Sequence, residues 1–170
     1  MDKIVEVDFL DNSIREVTKE QAHKEGIMHR AFSVILHNEN KILMQQRALD
    51  KYHCGGLWTN TCCSHPRWNE NINDAVKRRL SEEMDIEVGV DELFSFTYYY
   101  KFENGLTEFE YDHVFVGEYS GNFKINKDEA EEAKWVDLDE LKEWMKNKPS
   151  EFTPWFIVIM PKLIEYLSCK

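Results

Sequence analysis

The nine-residue segment from Trp58 to Pro66, WTNTCCSHP, has the residue types and spacing best suited to chemistry. The Cys63 thiol and the His65 imidazole are two residues apart, so strand-like alternation places them on one side and Cys62 on the other. A neighbouring cation lowers the pKa of a thiol from about 8.5 and makes the thiolate available. We therefore expect Cys63 to be chemically active; the alternative is a buried structural cysteine beside a solvated histidine.

Carboxylates form a second candidate group, in which Glu108, Glu110 and Asp112 alternate along a predicted strand and share one of its faces. Adjacent carboxylates repel one another unless a cation or a proton lies among them. We interpret Glu108 and Glu110 as metal ligands, one of them with a raised pKa suited to proton transfer. A solvated sheet face is the alternative explanation.

Histidines on either side of Gly26 add imidazole nitrogens to these carboxylates. Three nitrogens and two carboxylate oxygens would suit zinc, manganese or iron. The members of this predicted set are His23, His29, His65, Glu108 and Glu110. Two histidines six residues apart are weak support by themselves, and a structural role is the alternative. We interpret the remaining histidines, His37, His53 and His113, as turn or surface residues.

The elements that must position these residues follow from hydrophobic periodicity and turn signals. The predicted strands span residues 5–10, 13–18, 29–36, 41–46, 93–102, 106–119 and 133–136. Helices are predicted over 71–85, over 137–148, and from Thr153 to a kink or end near Pro161. We expect one α+β domain over residues 1–170, with a mixed sheet flanked by helices.

Composition limits the kinds of partner. The 170 residues, 42% of them hydrophobic, suffice for an ordinary core and exclude a disordered chain. A net charge of −11 excludes a broad surface for nucleic acid or anionic membrane, so an anionic substrate would need a local basic cluster or a metal. The longest apolar run, Trp155 to Met160, is too short to span a bilayer, and the N-terminus lacks a signal peptide's apolar core. We expect a cytoplasmic protein without membrane insertion, whose four cysteines are reduced.

The segment from Ser64 to Ile86 resembles the Nudix box, Gly-x5-Glu-x7-Arg-Glu-apolar-x-Glu-Glu-x-Gly-apolar. The spacing is kept, but Ser64 and Asp85 stand in place of glycines and Arg79 in place of a glutamate. In the Nudix family, glutamates of this segment hold divalent cations against a diphosphate. An arginine there would bind phosphate instead of a cation, so the resemblance implies a site that holds a diphosphate without hydrolysing it.

A larger set of motifs resembles the type 1 isopentenyl diphosphate isomerases, an offshoot of the Nudix fold. In chain order they are His23, His29 to Ser33, Gln46 to Ala48, Trp58 to Pro66, Arg78-Arg79, Glu82-Glu83, Glu108-x-Glu110 and Phe152 to Trp155. The resemblance implies a Nudix-like mixed sheet sandwiched between helices. It also implies the interconversion of isopentenyl diphosphate and dimethylallyl diphosphate in isoprenoid biosynthesis, by a 1,3-allylic proton shift through a tertiary carbocation.

The resemblance further implies roles for the matched residues. The catalytic residues would be Cys63, Glu110, Tyr100 and Trp155. Cys63 and Glu110 would share the two proton transfers, Tyr100 would assist Glu110, and the Trp155 indole would face the carbocation. One divalent metal, Mn²⁺ or Zn²⁺, would be bound by His23, His29, His65, Glu108 and Glu110, and Glu83 would contribute to a Mg²⁺ site completed by the diphosphate. The diphosphate would be held by Lys19, Arg47, Lys51 and Arg79.

Other functions remain open on the residues alone. A Nudix-type diphosphate hydrolase would require a full set of helix glutamates and would leave Cys63 without a role. A non-catalytic metal- or prenyl-phosphate-binding module would not need Cys63, Glu110 and Trp155 together. A hydrolase with a cysteine nucleophile would need a base other than His65. The sequence leaves open whether the chain is a monomer or a homodimer, and which of Cys63 and Glu110 acts first.

Overall fold

The structure, a computed structural model, describes residues 3–51 and 53–170. Its strands are β1 Lys3–Val7, β2 Ser13–Thr18, β3 His29–Asn38, β4 Lys41–Arg47, β5 Trp58–Thr59, β6 Cys62–Ser64, β7 Asp91–Lys101, β8 Thr107–Glu118 and β9 Ala130–Asp137. Its helices are α1 Lys19–Glu25, α2 Ile72–Met84, α3 Leu138–Asn147 and α4 Pro154–Ser168, with a 3-10 turn at Pro149–Glu151. The class is α+β, as predicted. Within the described ranges, no helix has both the length and the apolar character to cross a membrane.

Strand β3 organises the sheet. It pairs in antiparallel orientation with β1, β4 and β6, and in parallel orientation with β8. Strand β2 pairs with β1, β7 with β8, and both β5 and β9 with β4. The parallel pairing of β3 with β8 makes the sheet mixed, which confirms the prediction.

Helices cover both faces of this sheet, because the central strands carry apolar side chains on both sides. On one face, Leu36 of β3 belongs to a buried cluster with Leu80 of α2. On the other face, Ile35 belongs to a second cluster with Leu141 of α3 and Phe156 of α4. Burying each such side chain contributes about 1.5–3 kcal/mol, so the two clusters hold the helices against the sheet.

Two helices begin at side-chain caps near the predicted positions. The side chain of Asn71 accepts a hydrogen bond from the Asn73 amide at 2.9 Å, and α2 ends at Asp85, whose φ of 54° is left-handed. The Asp137 carboxylate accepts from the amides of Asp139 and Glu140 at 2.9 and 3.3 Å, which starts α3. These bonds satisfy amides that have no partner inside the helix.

The structure differs from prediction in two other helices. Helix α1 was not predicted; it has seven residues, starts at a cap by Thr18 and ends at Gly26 with φ 68°, and so short a helix gives little periodicity. For helix α4, of the two predicted alternatives at Pro161, a kink or an end, the end is wrong, because the helix continues through this proline to Ser168. The buried positions Ile159 and Leu163 flank this proline, so packing offsets the hydrogen bond that proline cannot make.

Candidate active site

A cavity of about 610 Å³ contains most of the residues singled out in the sequence. Strands β3, β6 and β8, helix α2 and the first turn of α4 all contribute to its wall. The predicted site residues that line it are Lys19, Arg47, Lys51, Cys63, His65, Arg79, Glu83, Glu108, Glu110 and Trp155. His23 and His29 are buried and contact the two glutamates of this wall.

Strand pairing brings these groups together from distant parts of the chain. In the parallel pair of β3 and β8, His29 lies opposite Glu110. In the antiparallel pair of β3 and β6, Ser33 lies opposite Cys63. Because strand side chains alternate, a shift of register by one residue would turn Glu110 away from the cavity.

The imidazoles and carboxylates form two adjoining groups that could hold a metal ion. In one, Nε2 of His23 lies 3.3 Å from Oε1 of Glu108. In the other, Nε2 of His29 and Nε2 of His65 lie 3.7 and 3.4 Å from Oε1 of Glu110. Ring centroids of His23 and His29 are 5.4 Å apart, and those of His29 and His65 are 5.0 Å apart, so the two groups lie side by side.

Two backbone carbonyls set the tautomers of this cluster. Nδ1 of His23 lies 2.6 Å from the Lys19 carbonyl, and Nδ1 of His29 lies 2.9 Å from the Ile27 carbonyl. A carbonyl oxygen only accepts, so each Nδ1 donates its proton and leaves Nε2 facing the glutamates. This is the arrangement in which a histidine ligates a metal through Nε2.

The polar contacts within the described chain fit a divalent metal. Nε2 of His29 and Nε2 of His65 are buried there without a hydrogen-bond partner. Burial lowers the pKa of His65 to about 4, so this imidazole is neutral. Despite burial, the neighbouring histidines hold the pKa values of Glu108 and Glu110 below their usual range. Glu110 in turn outweighs burial and raises the pKa of His29. Ionised carboxylates and a neutral imidazole are the forms that bind a metal.

One histidine interpreted as a turn or surface residue is part of this cluster. His53 is only 7% exposed, and its Nε2 lies 2.7 Å from Oε1 of Glu108. The interpretation was wrong because the loop between β4 and β5 folds inward over the site. His37 is also buried, at the far end of β3 and away from the cavity, whereas His113 is partly exposed between Asp11 and Glu92.

The surroundings of Cys63 favour a protonated thiol. Its Sγ donates to Oδ1 of Asn60 at 3.0 Å and accepts from Nε1 of Trp155 at 3.3 Å. Nδ2 of Asn60 donates to the carbonyls of Val34 and Cys62, which turns the Asn60 oxygen toward the thiol. Burial raises the pKa of Cys63 to about 12, although the Arg47 charge acts in the opposite direction. The thiol form is favoured over the thiolate because desolvation dominates and the neighbouring His65 is neutral.

The aromatic hairpin offers a different tyrosine from the one predicted. Tyr100 is 42% exposed and lies opposite Glu108 in the hairpin, where its ring stacks on that of Tyr98. Tyr98 lies opposite Glu110, is 6% exposed, and its ring centroid is 6.3 Å from that of Trp155. Its hydroxyl is buried without a hydrogen-bond partner in the described chain. Burial and the two glutamates raise its pKa, so it stays a proton donor.

Three cations converge on one part of the cavity. Burial and the charges of Lys51 and Arg47 lower the pKa of Lys19. The guanidinium of Arg47 lies 5.4 Å from the centroid of the Trp155 ring, and Nε of Arg47 is buried without a partner among the described residues. Mutual repulsion and an unpaired guanidinium N–H are features of an anion-binding site.

On helix α2, Arg79 occupies the position where the Nudix box has a glutamate. Its guanidinium donates to Oε1 of Glu83 at 2.6 Å and lies 3.1 Å from Oε1 of Glu129. Glu129, which the sequence did not single out, also receives a hydrogen bond from Lys51 at 2.6 Å. Glu83 is buried, which raises its pKa, and it lines the cavity beside Arg79. The predicted diphosphate end thus combines cations with two carboxylates.

Comparison with known proteins identifies the fold. Residues 27–156 match the NUDIX domain family. Among solved structures, the chain is similar to DR0079 from Deinococcus radiodurans, with a TM-score of 0.70, 14% identity, and 86% and 90% of the two chains covered. It is also similar to a MutT NUDIX hydrolase from Burkholderia pseudomallei, with a TM-score of 0.65, 20% identity, and 79% and 97% covered. The fold and the cavity therefore define a NUDIX-domain protein.

Relatives of known name show which family of NUDIX-domain proteins the chain belongs to. The chain is 43% identical to isopentenyl-diphosphate Delta-isomerase 2 of Aromatoleum aromaticum, over 99% of this chain and 88% of the relative. It is 41% identical to isopentenyl-diphosphate Delta-isomerase of Serratia proteamaculans, over 94% and 90% of the two chains. The chain belongs to the isopentenyl-diphosphate Delta-isomerase family.

Proposed function

We propose that this chain is an isopentenyl-diphosphate Delta-isomerase that interconverts isopentenyl diphosphate and dimethylallyl diphosphate. The observation that carries the proposal is that one cavity holds a protonated thiol, a carboxylate and an indole beside a cluster of cations. Its family membership agrees with this activity. The NUDIX hydrolase alternative is disfavoured because Arg79, already paired with Glu83, stands where that class has a glutamate.

Moving the double bond requires a proton to be added at one carbon and removed at another. We assign these transfers to Cys63 and Glu110, in an order that depends on the direction of reaction. The Cys63 thiol holds its proton at neutral pH because burial raises its pKa to about 12. Glu110 is ionised and adjoins His29 and His65, so it serves as the base. Such a pair of positioned groups contributes about 10²–10⁴-fold each.

The intermediate is a tertiary carbocation, which water would trap. Trp155 is buried at the start of α4, and its N–H bond to Cys63 fixes the indole against the thiol. An indole face attracts a desolvated cation by about 2 kcal/mol. Trp155 lines the cavity, and its buried indole also supplies an apolar surface that limits the access of water.

The histidine–glutamate cluster would bind one divalent metal, for which we propose Mn²⁺ or Zn²⁺. When bound, the metal would supply positive charge that fixes the two carboxylates and tunes their acidity. The chain's own contribution is to orient His23 and His29 through the carbonyls of Lys19 and Ile27. This holds Glu110 against the cavity for proton transfer.

The diphosphate would lie against the basic end of the cavity. Lys19, Arg47, Lys51 and Arg79 line it and would hold the phosphate oxygens. Glu83, buried on the same wall, would contribute to the Mg²⁺ that accompanies the diphosphate. These local cations would attract an anionic substrate even though the chain as a whole has a net charge of −11.

The test is to incubate the chain with isopentenyl diphosphate and Mg²⁺ and to follow products by phosphorus and proton NMR. The proposal predicts dimethylallyl diphosphate in which both phosphorus atoms are retained. Release of inorganic phosphate or a monophosphate, without an allylic product, would replace it by the hydrolase function.

A further inference from the structure

His53 is a buried imidazole that the matched motifs leave without a role. Its Nε2 lies 2.7 Å from Oε1 of Glu108, the same oxygen that lies 3.3 Å from Nε2 of His23. Two imidazole nitrogens therefore converge on one carboxylate oxygen. Together the three side chains form a group that could hold a metal ion.

The spacing of His53 matches that of the predicted ligands. Its ring centroid is 5.3 Å from that of His23, compared with 5.4 Å between His23 and His29 and 5.0 Å between His29 and His65. Two ligands in adjacent octahedral positions, each about 2.1 Å from one ion, lie about 3 Å apart. Oε1 of Glu108 lies 3.3 Å from Nε2 of His23 and 2.7 Å from Nε2 of His53, and these distances lie on either side of that value.

The backbone around His53 holds its ring in place. Nη2 of Arg47 donates to the His53 carbonyl at 3.4 Å, and the Gly56 amide donates to the Arg47 carbonyl at 3.1 Å. At Gly55, a Cβ atom would come within 2.6 Å of the Leu49 carbonyl, so a larger residue would force the loop outward. The loop is thus built to bring His53 inward.

We propose that His53 is a fourth imidazole ligand of the metal centre, bound through Nε2 beside His23 and Glu108. This inference rests on the metal centre of the proposed function. Four imidazoles and two carboxylates, each giving one ligand atom, would supply six donors. Such a donor set would favour a six-coordinate ion such as Mn²⁺ over Zn²⁺, which is four-coordinate in most protein sites. A metal bound there would hold Glu110 in position and favour its ionised form.

The test uses the full chain labelled with ¹⁵N-histidine and loaded with ¹¹³Cd²⁺, in which each ligated nitrogen shows a one-bond coupling to cadmium. Wild type should show four coupled imidazole nitrogens, and His53→Ala should show three. The Mn²⁺ dissociation constant, measured by chelator competition, should rise about 10- to 100-fold in the variant. His113→Ala, which removes a histidine between Asp11 and Glu92, is the matched control and should change neither quantity.

The outcomes separate this inference from the proposed function. Three coupled nitrogens in wild type would overturn the assignment of His53 while leaving the metal centre intact, even if His53→Ala weakens metal binding. Failure of wild type to bind Mn²⁺ or Cd²⁺ at all would overturn the metal centre itself. If His53→Ala does not fold, His53→Phe serves instead, since this ring already packs 5.3 Å from Phe102.

Discussion

At the scale of single residues, environment determines which groups hold protons. The Cys63 thiol belongs to a partly buried residue and the Tyr98 hydroxyl to a buried one, and both keep their protons because desolvation raises the pKa of each. Glu110 is also buried but is ionised, because His29 and His65 favour its charged form. A site that both donates and accepts protons at neutral pH needs groups held in opposite states.

Removing the Cys63 thiol should abolish turnover without abolishing binding. Cys63→Ala deletes the proposed proton donor, so kcat should fall by about 10³-fold or more while KM changes by only a few fold. Steady-state kinetics with isopentenyl diphosphate measures both. Cys62→Ala is the matched control: it removes the neighbouring thiol, which packs against α2 on the opposite side, and it should lower stability but keep kcat within a few fold. Wild-type turnover in Cys63→Ala would contradict the mechanism.

Tyr98 and Tyr100 offer a second comparison. Tyr98→Phe removes a buried hydroxyl from the tyrosine that lies opposite Glu110, and kcat should fall about 10- to 100-fold. Tyr100→Phe removes a hydroxyl from a half-exposed ring and should leave kcat within a few fold. Measuring kcat for both variants decides between them, and the opposite ranking would restore the role first predicted for Tyr100.

Several single residues could be predicted from the sequence and others could not. The alternation of Glu108 and Glu110 and the Cys63–His65 spacing predicted shared faces, and both pairs line the cavity. Tyr98 could have been found by counting back across the hairpin turn to the position opposite Glu110. The inward position of His53 depends on how a glycine-containing loop packs, which no local periodicity reports.

At the scale of elements, strand register determines the site. The pairings of His29 with Glu110 and of Ser33 with Cys63 place the metal cluster and the thiol on the walls of one cavity. His65 lies in the loop between β6 and α2, so its position depends on these two elements, which anchor the ends of the loop. The strands and α2 could be predicted because their patterns are long, whereas α1 is too short and α4 is held past Pro161 by packing.

Glu70 closes the loop between β6 and α2. It accepts hydrogen bonds from Nε and Nη2 of Arg78 at 2.7 and 2.9 Å and from the Arg67 amide at 2.7 Å. Glu70→Gln should lower the free energy of unfolding by about 1 kcal/mol at pH 7, measured by urea denaturation. Glu143→Gln, on the exposed side of α3, is the control and should change it by less than about 0.5 kcal/mol.

This contribution should depend on pH in a definite direction. The bonds from Arg78 outweigh burial and hold the pKa of Glu70 below its ordinary value of 4.5. Its contribution is therefore complete above pH 4.5 and is lost as the pH falls through the lower folded-state pKa. The difference between wild type and Glu70→Gln should shrink below pH 4.5. A difference that grows on acidification would show that the carboxylate does not act through its charge.

At the scale of the whole molecule, an acidic chain encloses a site for an anion. The net charge is −11, yet four cations, Lys19, Arg47, Lys51 and Arg79, line the same cavity as His65, Glu108 and Glu110. The overall charge was evident in the sequence, but this convergence of cations was not, because it depends on residues from α1, α2 and the loop after β4. Buried Glu108 and Glu110 also imply that a bound metal contributes to folding stability.

Removing the metal should therefore destabilise the protein. Dialysis against a chelator should lower Tm by several degrees, since about 1 kcal/mol corresponds to 2–4 °C for a chain of this size, and adding Mn²⁺ back should restore it. Differential scanning calorimetry measures the change. His29→Ala, which lacks a proposed ligand, is the control and should respond little to the chelator. An unchanged Tm in wild type would show that the cluster is held by hydrogen bonds alone.

The central claim is that the double bond moves by protonation and deprotonation while the diphosphate stays intact. The most direct test is proton and deuterium NMR of isopentenyl diphosphate incubated with the chain and Mg²⁺ in D₂O. The account predicts dimethylallyl diphosphate that carries deuterium from the solvent, with both phosphorus signals retained. An allylic product without deuterium, from reaction mixtures in which Cys63 had exchanged with solvent, or phosphate release without an allylic product, would contradict it.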